Sequence, residues 1–250
     1  MTQHKALGLP GPTYFVLASS SPRRRELLAA FEIPFTVLAP DTLPDIAAVD
    51  ESPQPNEAPA ALTQRLSETK TRVVTGYLLR QAAAKPWPAA LAARVVVVAA
   101  DTVVVAGGQI LGKPAGPEQA VDMLRLLRDR PHTVYSGLTV ARLPADKGGS
   151  LKLVTRLQRS KIWMRPYSNA EIAAYVATGS PLDKAGAYGI QDGAFAPVER
   201  LEGCFASVMG FPLGELGAAV RELGLFLPQV GLICGQQTGR LCCQATPCGF

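Results

Sequence analysis

Tyr14-Phe15-Val16-Leu17-Ala18-Ser19-Ser20-Ser21-Pro22-Arg23-Arg24-Arg25-Glu26-Leu27-Leu28 reads as a short buried strand, a tight turn and a helix in immediate succession. Ser21 is placed to cap the helix and Pro22 to occupy its first position, while Leu27, Leu28 and Phe31 share its apolar side. Three arginines in the first turn oppose the helix dipole, which puts about half a positive charge there and favours acidic side chains. Two readings follow. A bound anion would relieve the conflict, with free backbone N–H groups, the hydroxyls of Ser19 and Ser21 and two guanidiniums sharing one phosphate. Otherwise the turn is a solvated basic surface, whose repulsion of roughly a few tenths of a kcal/mol is tolerable.

Outward from this unit, a second short strand is expected over 35–38, then a long surface loop rich in Pro, Asp and Glu over 40–59. A helix over 59–81 carries Leu62, Leu66, Val73 and Tyr77 on one stripe, and Lys70 falls on that stripe. After a loop with Pro86 and Pro88, the run 95–106 is apolar except for Asp101-Thr102 and closes on Gly107-Gly108. It has the look of a central strand that delivers a carboxylate. A helix is expected over 117–128, and strands over 133–142 and 151–164 flank a turn at 145–150 as an antiparallel pair, which makes the sheet mixed. Ser168 and Glu171 form a capping box for a helix ending at Gly179, with Pro181 blocking continuation. Residues 183–211 are glycine-rich, a last helix covers 212–223, and periodicity is lost beyond Gly224. The expectation is one α/β unit over 14–223: a mixed central sheet flanked by helices, in two lobes around a cleft. Residues 1–13 are an N-terminal extension, and 224–250 an atypical tail, divergent or disordered.

Composition narrows the chemistry. The chain has 250 residues, 48% of them hydrophobic, which excludes a disordered protein. Its formal charge of +5 suits small phosphates as well as nucleic acid. The apolar stretch 95–106 is too short for a bilayer, and residues 6–18, broken by Pro10, Gly11 and Pro12, do not form a leader, so a cytoplasmic protein is expected. Two histidines, His4 and His132, argue against a histidine triad or a multi-histidine metal site. Of five cysteines, Cys234, Cys242, Cys243 and Cys248 fall near the C-terminus without a CxxC pair, which implies neither a disulfide framework nor a zinc site. A metal would therefore sit on carboxylates, as Mg²⁺ or Mn²⁺ does.

Asp101 is expected at a strand end, where ligands of α/β sheets bind; an unpaired carboxylate there is costly. It could hold a metal, accept a proton from water, or cap a turn through Thr102. Residues 107–113 match the first seven positions of a P-loop, GxxxxGK, but Pro114 replaces the hydroxyl residue and removes an N–H, so the segment reads as a turn with Lys113 still free to meet phosphate. Lys70 alone is an ordinary snorkelling lysine, and Glu51 an ordinary loop acid.

The string Leu17–Leu28 resembles the signature of the Maf family of nucleotide pyrophosphatases. Further blocks resemble that family in the same order: Asp50-Glu51; Arg65-Leu66 with Lys70; Ala100-Asp101-Thr102; Gly112-Lys113-Pro114; Val134 with Ser136; Leu182-Asp183-Lys184-Ala185-Gly186-Ala187-Tyr188-Gly189-Ile190-Gln191; and Val208-Met209-Gly210-Phe211-Pro212. The resemblance covers about residues 14–223, and Leu182 to Gln191 looks like the branch acting on dTTP and UTP, with the 7-methyl-GTP branch as alternative. It implies an inosine-triphosphatase-like fold, a hydrolase that releases pyrophosphate from nucleoside triphosphates, a divalent cation and a homodimer. It further implies Asp101 as proton acceptor, Arg23, Thr102 and Gln191 at positions tied to base specificity, and Ser21, Arg24, Glu51, Lys70 and Lys113 as polar residues of the cleft. A metal would rest on Glu51, with Asp101 either a second ligand or the base, since it is not easily tight ligand and base at once. Gly203-Cys204-Phe205-Ala206 departs from the family's more polar pattern. The rival class is a nucleic-acid-binding module, motivated by the charge, the arginines and the GxxG spacing of 186–189, but it leaves Asp101 and Glu51 without a role. No stable nucleic-acid partner and no membrane are expected.

Overall fold

The computed structural model describes residues 13–84, 94–144 and 149–240. The prolines at 86 and 88, most of the turn at 145–150, residues 1–12 and the last three cysteines lie outside the described residues. In chain order the elements are β1 (Tyr14–Leu17), α1 (Pro22–Ala29), β2 (Phe35–Val37), α2 (Pro59–Ala84), β3 (Val95–Ala106), β4 (Gln109–Leu111), α3 (Pro117–Leu127), β5 (Pro131–Arg142), β6 (Lys152–Met164), α4 (Asn169–Ala177), β7 (Val198–Glu202), α5 (Phe205–Val208), α6 (Leu213–Glu222) and α7 (Val230–Thr238). The strands form one mixed sheet in the order β2-β1-β3-β5-β6-β7, with β4 also on β3.

β3 organises the molecule. Its first half pairs in parallel with β1, Tyr14 opposite Val95 through Leu17 opposite Val98. Its second half pairs antiparallel with β4, Val104 opposite Leu111 through Ala106 opposite Gln109. The other edge is covered along nearly its whole length by β5. Between Val98 and Val104 the sheet is therefore split on one side, and Asp101-Thr102 sits in the split. Asp101, expected at a strand end, lies mid-strand; the apolar run resumes after it because β5 continues past it.

Strand alternation carries this break to both faces. On one face Val96, Val98 and Ala100 pack under α1, α6 and α7, whereas Val104 and Ala106 belong to a second core with α3 and α4. On the other face Val95, Val97 and Ala99 lie under the C-terminal half of α2, and Val103 under Leu62 and Leu66 at its start. The polar dipeptide separates two cores on each face, and these are the two lobes.

α2 touches the sheet through Leu62 and Leu66 of its apolar stripe and, beyond them, through residues that the stripe does not contain. Thr63, Ser67, Thr71 and Thr75, spaced by four, are buried, and each hydroxyl is satisfied by a carbonyl three or four residues back. Val74 and Leu78 are buried in place of Val73 and Tyr77, which pack only partly. Small side chains let the helix descend until Thr63 meets Gly137 of β5, the residue opposite Asp101.

The capping box of α4 is present in full: Ser168 Oγ accepts from the Glu171 N–H, and Glu171 accepts from the Ser168 N–H at 2.8 Å. The Ser168 N–H, followed by the Arg165 guanidinium, holds the Glu171 carboxyl at about 2. Because that lies below its ordinary value, the stabilisation is complete above about pH 4.5 and disappears as pH falls toward 2. Ser168→Ala should cost about 1 kcal/mol in denaturant unfolding at neutral pH. Glu171→Gln should flatten the acid limb of the stability–pH curve. An unchanged midpoint in the first, or an unchanged acid limb in the second, would contradict these expectations.

Residues beyond Gly224 are not wholly without structure. α7 buries Ile233 and Cys234 in the core with α6, and a Cβ on Gly217 would come within 2.8 Å of Val230. The helix lacks a period legible in sequence because it covers the core with few large side chains.

Candidate active site

A cleft of about 770 Å³ opens at the split in the sheet. Ser19, Ser21, Arg23, Arg24, Glu51, Lys70, Asp101, Thr102, Lys113 and Gln191 all line it. They come from the β1–α1 turn, the loop before α2, the middle of α2, the centre of β3, the end of β4 and the segment before β7.

The β1–α1 turn spreads its arginines in different directions. Arg25 is exposed. Arg24 donates from Nε to the Gly210 carbonyl at 2.9 Å and from Nη1 to Ser19 Oγ at 3.1 Å. Burial lowers its pKa and Asp101 opposes the fall, so the guanidinium, far above neutrality to begin with, stays cationic. Arg23 instead pairs with Asp183 at 2.9 Å. Ser21 occupies the N-cap position but makes no side-chain cap; its N–H donates to Ser19 Oγ at 3.2 Å. The first turn of α1 has no acidic side chain, so the unfavourable pairing of arginines and dipole persists.

Lys70 lies between two acids. Its Nζ is 2.6 Å from Asp101 Oδ1 and 2.6 Å from Glu51 Oε1. Lys70 and Asp101 are each 11% exposed, while Glu51 is 59% exposed at the mouth. Partial burial pushes the Glu51 carboxyl up, but the Lys70 hydrogen bond and the charges of Lys70, Lys113 and Arg24 outweigh it and hold the group below its ordinary value. Arg65 anchors the loop that carries Glu51: it grips Glu57 with two bonds, at 2.6 and 2.8 Å, and the Ser52 carbonyl at 3.0 Å. The Gly107-Gly108 pair makes the β3–β4 turn, both residues at positive φ, so the P-loop-like string is a hairpin that points Lys113 at the cleft.

Several cleft residues were not picked out as candidates from sequence. Asp183 and Lys184 form an ion pair at 2.7 Å on the wall opposite α1, and Tyr188 is held from behind by His132 Nε2 at 2.7 Å. Burial lowers the His132 pKa to about 4, so the ring is neutral at physiological pH. Asp183, Lys184 and Tyr188 stand in the block ending at Gln191, which is the signal that could have found them; His132 carried none.

Charge and donor type limit what the cleft can hold. Arg23, Arg24, Lys70, Lys113 and Lys184 face Asp41, Glu51, Asp101 and Asp183. The near balance leaves a polyphosphate under-neutralised unless a cation accompanies it. Glu51 and Asp101, close enough to share one ammonium, suit a hard divalent ion that keeps several waters and takes its other ligands from phosphate. Among the described residues no group of three or more His, Cys, Asp or Glu side chains could hold a metal alone, so the ion would need substrate or water oxygens to complete its shell. No helix among the described residues is long and apolar enough to cross a membrane.

Comparison with known proteins shows which family the chain resembles. A dTTP/UTP pyrophosphatase of Geobacter metallireducens is 41% identical over 216 residues, 86% of this chain and 99% of that protein. One from Myxococcus xanthus is 40% identical over 216 residues, 86% and 95% of the two chains. One from Pelotomaculum thermopropionicum is 37% identical over 209 residues, 84% and 96%. A solved nucleoside-triphosphatase (dITP/XTP pyrophosphatase) from Mycobacterium abscessus aligns at 12% identity over 60% of this chain and 72% of that one, with a TM-score of 0.32, too slight a likeness to bear on the fold. Residues 14–223 match the family described as Maf-like protein. With the match spanning the whole sheet, α1 to α6 and every residue gathered at the split, the chain belongs to the Maf-like family.

Proposed function

We propose that this protein hydrolyses nucleoside triphosphates, dTTP and UTP foremost, to the nucleoside monophosphate and pyrophosphate. The observation that carries this reading is the Glu51–Lys70–Asp101 cluster at the split of the sheet, ringed by Arg24 and Lys113. In the ligand-free cleft Lys70 is the counter-cation of both acids. When a triphosphate enters, Lys70 turns to phosphate oxygens and leaves Asp101 free to accept a proton from the water that attacks the α-phosphorus. Arg24, Lys70 and Lys113 offset the charge that grows on the departing pyrophosphate. Glu51 would hold a Mg²⁺ or Mn²⁺ ion, which would neutralise charge at the α-phosphate, while Asp101 keeps an oxygen free for the proton. The amide of Gln191 offers both a donor and an acceptor to a uracil or thymine edge.

The test is product identification. With dTTP, UTP and a panel of other triphosphates, Mg²⁺ or Mn²⁺ should support release of monophosphate and pyrophosphate, and chelator should stop it. Orthophosphate with nucleoside diphosphate would move the cleaved bond and sink the assignment of Asp101.

A further inference from the structure

Thr102 lies on the face of β3 away from α2, at the cleft wall. Its Oγ1 is 2.8 Å from the Oγ of Ser136, its register partner on β5. From that distance alone either hydroxyl could donate. The next contact removes the ambiguity: Ser136 Oγ lies 2.7 Å from the backbone carbonyl oxygen of Ser207. A carbonyl has no proton to give, and two oxygens this close without a proton between them repel, so the single Ser136 proton goes to Ser207. Ser136 is left with lone pairs, and Thr102 must donate to it. Both serines are fully buried, and Ser207 is pinned in turn by Ser160 at 3.0 Å and by the Gly210 N–H on the same carbonyl at 2.8 Å. The direction of the chain is thus set by a backbone group that cannot reverse.

We propose that Ser136 is a positioning residue that commits the Thr102 proton inward, so that Thr102 meets a ligand only as a hydrogen-bond acceptor and favours a base presenting an N–H. The identity of the ligand rests on the nucleoside triphosphate reading above. Uracil and thymine carry a donor at ring N3. Cytosine carries a lone pair there, which would face the lone pair of Thr102.

Titration calorimetry with uridine and cytidine triphosphate analogues, their α,β-bridging oxygen replaced by methylene, reads this without turnover. The unaltered protein should prefer the uridine analogue. Ser136→Ala frees the Thr102 proton to turn outward, and the uridine-to-cytidine affinity ratio should narrow about tenfold. Thr102→Ser should keep the ratio. Thr102→Val should lose the preference by itself, which preserves the test if Ser136→Ala does not fold, and adding Ser136→Ala to it should change the ratio no further. A merely structural serine would weaken both analogues alike and leave the ratio unchanged, and that result overturns the inference, as does equal affinity in the unaltered protein. Binding with the expected ratios but no cleavage of UTP would sink the pyrophosphatase reading alone. Binding of neither analogue would sink both.

Discussion

Asp101→Asn is expected to lower the rate of pyrophosphate release by about 10²–10⁴-fold, the range that a positioned general base supplies. The substitution keeps shape and volume but replaces an oxygen that can take a proton with an amide that cannot. It also removes half of the charge that Lys70 meets in the ligand-free cleft. Breaking a buried pair is usually destabilising by about 3–5 kcal/mol because the partner is stranded. Here Lys70 retains Glu51 at 2.6 Å and faces an open cleft, so the loss of stability should be far smaller. The expected pattern is therefore a large fall in kcat with the unfolding midpoint close to that of the unaltered protein. Near-normal turnover would remove Asp101 from the chemistry; a collapse in stability would make it a structural acid.

Gly137→Ala should do the reverse and strike the fold first. A Cβ at this position would lie 2.4 Å from the Thr63 carbonyl oxygen, 2.5 Å from its carbon and 2.8 Å from the Gln64 nitrogen. All three are backbone atoms of the first turns of α2, and Gly137 is itself in a strand paired on both sides, so neither surface can yield cheaply. Overpacking in cores commonly costs about 1–3 kcal/mol, and a clash of backbone with backbone belongs at the upper end or beyond. The protein can relieve it only by lifting α2 off the sheet, which carries Lys70 away from Asp101. Denaturant unfolding should show a loss of about 3 kcal/mol or more, and the surviving folded protein should turn over more slowly. Gly193→Ala, where a Cβ meets nothing within 4 Å, is the control and should stay within about 0.5 kcal/mol. Equal midpoints for the two variants would refute the close approach of α2.

The strand–turn–helix at 14–29, the mixed sheet and the capping box were legible because each is encoded locally, in residue order, a cap or an alternation. Lys70 and Glu51 were not legible from their own neighbourhoods. One sits on a helical stripe and the other in an acidic loop, and nothing short of the family blocks connected them. Arg65 shows why: its role is to hold a loop thirteen residues away in sequence, and a lone arginine on a helix says nothing of that. The buried face of α2 was legible only in part, for a related reason. Periodicity found Leu62 and Leu66, which are buried, but it weighs large apolar residues, whereas much of the remaining contact is made by small hydroxyl residues that satisfy themselves on their own helix.

By itself the sequence determined where the core would break. Asp101-Thr102 interrupts an otherwise apolar strand, and a strand cannot hide two polar side chains on opposite faces without dividing the cores on both. Tertiary structure decided what that interruption became. Because β1 ends before it and β4 begins after it on the same edge of β3, the break is an open cleft. Because Gly137 lets α2 reach the sheet beside it, the carboxylate meets an ammonium there, and because Ser207 offers a carbonyl behind Ser136, the threonine proton points inward. These are packing distances between segments far apart in the chain, and no local pattern of residues encodes them.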